Sequence, residues 1–400
     1  MDIKQAVILA GGRGKRLGSI TDIIPKPMVP IQGKPFLEHI IEMLKENGIS
    51  EVVILAGYLH EKIQEYFGSG VKLGVRITYS VLPLFEETGA EIESGTRIQN
   101  AAPLVDNAFL LLYCDNYWPL NLEKLQDFYY RQNSLASVVV YSNTDHITKN
   151  NMLVDERGFV VTYDRERKDQ NLNGVEIGFF IMSKKILELF PQRPFHFEKE
   201  MIPRLIEQRQ LAGYLTPQRY YSISTPEKVE TTAKFLQSKK VVFLDRDGVI
   251  NKKPPRAEYV KTWKEFKFLE GALEGLQLLS YNNYDLYLIT NQPGIARGLM
   301  SKQDLSVIHK RLTDELQKNN VILKGIYYCP HGWDEGCLCR KPAPGLLFQA
   351  ASEHFINLSK TTFIGDDERD IEAGKIAGCK TILLQPGQTL LEVAQRLINN

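Results

Sequence analysis

"VVFLDRDGVINKK" (residues 241–253) runs four apolar residues into two aspartates two positions apart, and then turns. Consecutive apolar residues of this length suit a strand covered on both faces. Side chains alternate along a strand, so Asp245 and Asp247 are expected on one side and Arg246 on the other. Two converging carboxylates repel, and a divalent cation is the usual remedy. A second stretch, "AVILAGGRGKRLG" (6–18), also drives a buried-looking strand into a charged loop. Two active sites in one chain are therefore expected.

The surroundings agree with that expectation. Short β-rich runs ("EVVILAG", "FLLLYCD", "DLYLITN", "TTFIGDD") alternate with amphipathic stretches such as "KPFLEHIIEMLKENGI", with Gly48 at its C-cap position. Such alternation predicts α/β architecture with parallel sheets, two doubly wound domains in all. The charged stretch 225–240 reads as a terminal helix followed by a boundary, giving domains 1–237 and 238–400. At 400 residues there is core enough for both.

Composition is that of an ordinary soluble protein, 43% hydrophobic and 24% charged. A net charge of +1 offers no global field for nucleic acid or an anionic membrane. No apolar run reaches the roughly 20 residues of a membrane span. With no signal-peptide pattern at the N-terminus, a cytoplasmic location is expected. Three of the five cysteines fall within 329–339, and with His331 they form a Cys-x-His…Cys-x-Cys set. Cys329, His331, Cys337 and Cys339 read as a closed four-ligand Zn²⁺ site rather than a disulfide framework. It directly precedes Lys341, so zinc would brace a substrate-facing loop. His309 and His354 lie on helical stretches and are expected at the surface.

In the first loop, Gly11, Gly12 and Gly14 let backbone N–H groups approach phosphate, and Arg13, Lys15 and Arg16 add positive charge. Neither GxxxxGK[ST] nor GxGxxG fits the spacing. The longer pattern "LAGGRGKRL…PKPMVPIQGKPFLEHII" resembles the sugar-1-phosphate nucleotidyltransferases over residues 3–237. That resemblance implies that the glycine loop and Arg16 hold a nucleoside triphosphate. It also implies that Lys26, stiffened by Pro25 and Pro27, offsets phosphate charge, and that Asp115 binds Mg²⁺. Thr88 and Gly89 would lie near base and sugar, Glu176 and Gly178 on the sugar-binding strand, and Lys168 within reach of the sugar phosphate. Cys114, before Asp115, reads as a half-buried filler. One departure stands out: Ser222 and Ser224 in "YYSISTPEKV" replace the second metal-binding carboxylate and a glycine. A hydroxyl is a poorer Mg²⁺ ligand than a carboxylate.

The second site resembles haloacid dehalogenase-type phosphatases. There the first aspartate, Asp245, attacks phosphorus and the second, Asp247, works as acid and base. The resemblance implies that Thr290 and Asn291 hold the phosphoryl group and that Lys341 neutralises the aspartyl-phosphate. It implies a Mg²⁺ site of Asp245, Asp247 and Asp366, with Asp370 supporting and Asp367 a solvated neighbour. "DRDGVIN", "NQPGIARG", the zinc loop and "CRKP" resemble the heptose-1,7-bisphosphate 7-phosphatase and histidinol-phosphatase branch over residues 240–385. Arg297 and Arg340 would be sugar or phosphate contacts. The first half looks most like the heptose-1-phosphate guanylyltransferase subgroup, so GTP is the expected nucleotide. The two halves would then be successive steps to an activated heptose for surface polysaccharide. The rival readings are a phosphatase fused to a binding module, and a phosphatase of histidinol phosphate or another phosphosugar.

Overall fold

The computed structural model describes residues 2–18, 20–82, 92–255 and 257–399, and the chain divides into two compact units, Met1–Leu236 and Gln237–Asn400. The first unit holds a seven-stranded sheet. Its order is Leu211–Thr216, Ala136–Tyr141, Val175–Ser183, Ala108–Tyr113, Gln5–Ala10, Glu51–Ala56 and Arg76–Val81. All neighbours are parallel except Val175–Ser183, which runs antiparallel to both of its own. The expected parallel sheet is thus mixed. Between Tyr141 and Val175 the chain makes a small hairpin, Met152–Val154 with Val160–Tyr163, and no helix. A parallel return needs a crossover, which a hairpin excursion does not supply.

The second unit is a five-stranded, wholly parallel sheet: Leu323–Cys329, Tyr284–Asn291, Lys240–Leu244, Thr361–Gly365, Lys380–Leu383. Its middle strand explains the unbroken apolar run of "VVFL". Val242 and Leu244 enter one hydrophobic cluster, with Leu276, Leu288 and Leu312. Val241 and Phe243 enter another, with Ile289, Leu347 and Phe363. Both faces of the sheet are covered, so every position is apolar.

Strand order fixes where the sites fall. In the second unit the order reverses at Lys240–Leu244, between Tyr284–Asn291 and Thr361–Gly365. In the first it reverses at Gln5–Ala10, between Glu51–Ala56 and Ala108–Tyr113. Doubly wound sheets open a crevice beyond the strand ends at such switch points. The strand ends there carry Asp245 and Asp366 in the second unit and the glycine loop and Asp115 in the first. No helix among the described residues is long and apolar enough to cross a membrane.

Candidate active sites

In the second unit the strand stops at Leu244, and the Asp245 amide donates to the Ile364 carbonyl at 3.0 Å. Gly248 follows with φ +101°, and a Cβ there would stand 2.1 Å from Asp366 Oδ2. Only glycine lets the turn pass beneath that carboxylate. Asp245 and Asp366 then meet Asp370, their oxygens all within 4.8 Å of one another. Asp370 also accepts from the Asp367 amide in the capping box of helix Glu368–Ala377. Asp367 is therefore the N-cap of that helix and pairs with Arg369 at 2.8 Å, not a free solvated group.

Lys341 is 3% exposed, and its Nζ lies 2.7 Å from Asp245 Oδ1, 2.6 Å from Asp370 Oδ1 and 2.8 Å from the Ile289 carbonyl. Burial pushes the Asp245 carboxyl upward, while the adjacent ammonium opposes it. Asn291 grips the Lys341 backbone at both ends, donating to its carbonyl and accepting from its amide at 3.1 Å each. The residue expected to hold a phosphoryl group thus also positions the lysine.

Asp247 stands outside the three-carboxylate cluster. Its oxygens accept from Asn251 Nδ2 at 2.8 Å, Gln292 Nε2 at 2.9 Å and Arg246 Nη2 at 2.9 Å. Arg246 was expected to point away from the acidic pair. Because the strand has already ended, its guanidinium instead folds onto Asp247 and is fully buried. Arg246 Nη1 also donates to His309 Nε2 at 3.3 Å. His309 is buried, not at the surface, and burial together with Arg246 lowers its pKa to about 3. His354 is half-buried, its ring 4.9 Å from that of Tyr287.

These groups line a cavity of about 540 Å³ shared by Asp245, Asp247, Thr290, Asn291, Lys341 and Asp366. Arg340 lines it too and donates to the His331 carbonyl at 3.3 Å. Arg297 is exposed and lies over the Tyr259 ring at 5.9 Å, beside the cavity's wall. Sequence reasoning passed over Lys253, whose Nζ lies 2.7 Å from Asp366 Oδ2. It also missed Asn251 and Gln292. The polar character of "GVINKK" and "TNQPG" was visible, but not which carboxylate each side chain would meet.

Two donor sets suit metals. The carboxylate cluster offers hard oxygens, and Asp366 Oδ1 is buried with no hydrogen-bond partner among the described residues. That chemistry fits a hard divalent cation. Around the loop, Cys329 Sγ lies 3.6 Å from Cys337 Sγ and 3.3 Å from Cys339 Sγ, and His331 Nδ1 lies 3.2 Å from Cys339 Sγ. These separations are too long for disulfides. A tetrahedral metal with sulfur at 2.3 Å spaces its ligands about 3.8 Å apart, so the set is close to one metal's dimensions.

In the first unit, Gly11 and Gly57 end adjacent strands. A Cβ on either would fall within 2.5 Å of the Arg97 guanidinium. Arg97 is buried and donates to the carbonyls of Ala56 at 2.8 Å and Leu82 at 2.6 Å, fixing the floor of the loop. Gly12 and Gly14 continue that loop. Arg13 stacks 5.4 Å over Tyr58, and Arg16 is exposed. Lys26 is 8% exposed and forms an ion pair with Asp115. Cys114 is more deeply buried than expected, and burial pushes its thiol up to about 12, which makes it a poor nucleophile.

Glu176 sits at a register shift in the Val175–Ser183 strand and accepts from the Gly178 amide. Burial, reinforced by Glu198, raises its pKa to about 8. Lys168 is exposed and pairs with Glu166, while its neighbour Arg167 reaches back to Thr148 Oγ1 at 3.2 Å. Ser222 pairs with Asn116, and its hydroxyl lies 3.2 Å from that of Ser224. The region therefore presents Asp115 without a second carboxylate at Ser222. Mg²⁺ is often held by one or two carboxylates plus substrate phosphates, so this donor set still fits. Thr88 and Gly89 lie outside the described residues.

Two α/β units, each with charged side chains at its switch point, define a phosphoryl- and nucleotidyl-transfer enzyme with two centres. Residues 5–222 match the nucleotidyl transferase family and residues 338–398 the HAD-hydrolase-like family. A D-glycero-beta-D-manno-heptose-1,7-bisphosphate 7-phosphatase of Pasteurella multocida is 39% identical over 168 residues, covering 40% of this chain and 90% of that protein. A D-glycero-alpha-D-manno-heptose-1,7-bisphosphate 7-phosphatase of Campylobacter jejuni is 39% identical over 145 residues, covering 36% of this chain and 81% of its own. The chain belongs to the nucleotidyl transferase family through its first half and to the heptose-bisphosphate phosphatases through its second. A Bacillus anthracis structure assigned as a glucose-1-phosphate thymidylyltransferase shares the first unit's fold, with a TM-score of 0.51 at 19% identity, covering 59% of this chain and 97% of that one.

Proposed function

We propose that the chain catalyses two successive steps: removal of the 7-phosphate from D-glycero-D-manno-heptose 1,7-bisphosphate, then nucleotidyl transfer to the heptose 1-phosphate. The observation that carries the reading is Asp245, paired with Lys341 and set beside Asp366 at the end of a cavity of about 540 Å³. An Asp245 oxygen attacks phosphorus and the bond to the sugar oxygen breaks. Asp247 donates a proton to that oxygen. Water, giving its proton to Asp247, then attacks the aspartyl-phosphate and frees phosphate. Lys341 stabilises the charge carried by Asp245 and the phosphoryl group. Mg²⁺, held by Asp245 and Asp366, would supply further charge neutralisation. Zn²⁺ would be held by Cys329, His331, Cys337 and Cys339, and thiolates at such a site suit the reducing cytoplasm.

In the first unit a sugar-phosphate oxygen attacks the α-phosphorus of a nucleoside triphosphate and pyrophosphate leaves. Lys26 and Arg16 offset the charge that builds on the phosphate oxygens. GTP is the nucleotide this reading favours. Domains 1–237 and 238–400 carry the two activities. A narrower reading, a phosphatase with a nucleotide- or sugar-binding module, draws on the mutual hydrogen bond of Ser222 and Ser224.

The test is phosphate release from a panel of sugar bisphosphates and histidinol phosphate with Mg²⁺, followed by pyrophosphate release after each nucleoside triphosphate is added. Phosphate from the heptose bisphosphate and then pyrophosphate with GTP is expected. Phosphate without pyrophosphate under every nucleotide would reduce the chain to the narrower reading.

A further inference from the structure

We propose that Arg97 is a positioning residue for nucleotide binding: its buried guanidinium holds the glycine loop at Gly11 in place, and Gly11 and Gly57 are glycines in order to admit it. The proposal rests on the nucleotidyl-transfer reading and deepens it. Its starting point is the pair of neighbouring strands Gln5–Ala10 and Glu51–Ala56, whose last residues, Ala10 and Ala56, stand in register. Gly11 and Gly57 follow directly. Neither has a φ in the left-handed region, so the backbone at both would accept an alanine. What excludes a side chain is Arg97, whose guanidinium supplies the three nearest atoms that a Cβ on either residue would meet.

Arg97 lies in the helix Ser94–Asn100, and its nitrogens reach three separate stretches of backbone. Nη1 donates to the carbonyls of Ala56 at 2.8 Å and Leu82 at 2.6 Å, and Nε donates to that of Ile92 at 3.2 Å. Ala56 ends its strand, and Leu82 follows the strand Arg76–Val81. A planar guanidinium donates in several fixed directions at once, which an ammonium or an amide does not. Arg97 thus ties the ends of two strands to the chain entering its own helix, and fills the space beside Gly11 and Gly57.

The turn after Glu51–Ala56 also joins the glycine loop directly. The Tyr58 amide donates to the Gly11 carbonyl at 3.3 Å, and the Arg13 guanidinium lies 5.4 Å from the Tyr58 ring centre. Turn and loop therefore meet at Gly11 and at Arg13, with Arg97 packed against both glycines. Backbone amides bind phosphate well only when they are held at the spacing its oxygens require. Arg97 touches no reacting atom in this role; it acts through the backbone that it holds.

The experiment is steady-state nucleotidyl transfer by the full-length protein, read as pyrophosphate release from GTP and heptose 1-phosphate with Mg²⁺. The variants are Arg97→Met, Arg97→Lys, Gly57→Ala, the double variant Arg97→Met with Gly57→Ala, and Ile98→Ala as a control. Ile98 is fully buried next to Arg97 in the same helix, so its truncation loosens the helix and leaves the guanidinium in place. Arg97→Met and Gly57→Ala are each expected to raise the KM for GTP about tenfold or more, with kcat and the KM for heptose 1-phosphate within about threefold of wild type. Arg97→Lys keeps a donor for the Ala56 and Leu82 carbonyls and recovers most of the loss. The double variant is no worse than Arg97→Met alone, because both changes act on one contact. A wild-type KM for GTP in Arg97→Met or Gly57→Ala overturns the proposal, and so does a rise in Ile98→Ala as large as that in Arg97→Met. Either result leaves the transferase reading standing. Gly57→Ala keeps the arginine, so the test holds even where Arg97→Met does not fold. Absence of pyrophosphate from wild type with every nucleoside triphosphate overturns the two together.

Discussion

At the scale of single residues, the second site depends on keeping opposite charges in contact inside the protein. Asp245 and Lys341 are both buried, and each is tolerable there because of the other. Asp245→Asn removes the proposed nucleophile while keeping its shape. Phosphate release should fall by at least about 10⁴-fold. Pyrophosphate release from GTP and heptose 1-phosphate should persist, and phosphatase activity surviving the change would refute the assignment. Arg246 is a different case, fully buried at a position that strand periodicity alone assigned to the other side. Arg246→Met leaves Asp247 short of its cation and should cost about 3–5 kcal/mol. The check is the urea midpoint, with the m-value unchanged.

Among the elements, helix Lys302–Lys318 and the cysteine loop make separable predictions. His309 on that helix titrates near pH 3 when folded, against 6.5 when unfolded, because burial and Arg246 exclude its charged form. The unfolded chain then takes up more protons as pH falls. His309's contribution is complete above about pH 6.5 and is lost progressively toward about pH 3, by at most about 1.4 kcal/mol per pH unit. Urea midpoints for wild type and His309→Gln, measured down this range, should converge as pH falls. Parallel curves would show that burial and Arg246 do not hold it neutral against the opposing pull of Asp247, the other charge facing it. For the loop, Cys337→Ser should lower metal content measured by elemental analysis and destabilise the segment that carries Arg340 and Lys341. The Michaelis constant for the bisphosphate should rise about tenfold or more, with nucleotidyl transfer unchanged. Most elements were legible in the sequence, since strand and helix periodicities differ and the inner strands of the second unit are largely buried on both faces. The reversed strand Val175–Ser183 was not, because a strand's direction depends on what joins it to its neighbour.

For the whole molecule, the two activities predict a stoichiometry. With heptose bisphosphate, GTP and Mg²⁺, one phosphate should appear for each pyrophosphate, and the phosphate should appear first. Pyrophosphate that leads phosphate would mean that the transferase accepts the bisphosphate itself. The order of the motifs along the chain, the four donors of the cysteine loop and the loss of a carboxylate at Ser222 were all fixed by residue identity, since each depends on which groups are present. Only the tertiary structure decided that Asp370, expected as a supporting group, meets Asp245, Asp366 and Lys341 directly, that Asp247 turns to Arg246, and that Lys168 turns to Glu166 while Arg167 reaches Thr148. Those outcomes depend on where a strand ends and which way a turn carries the next side chain. Charges far apart along the chain meet only when the sheet brings their strand ends together.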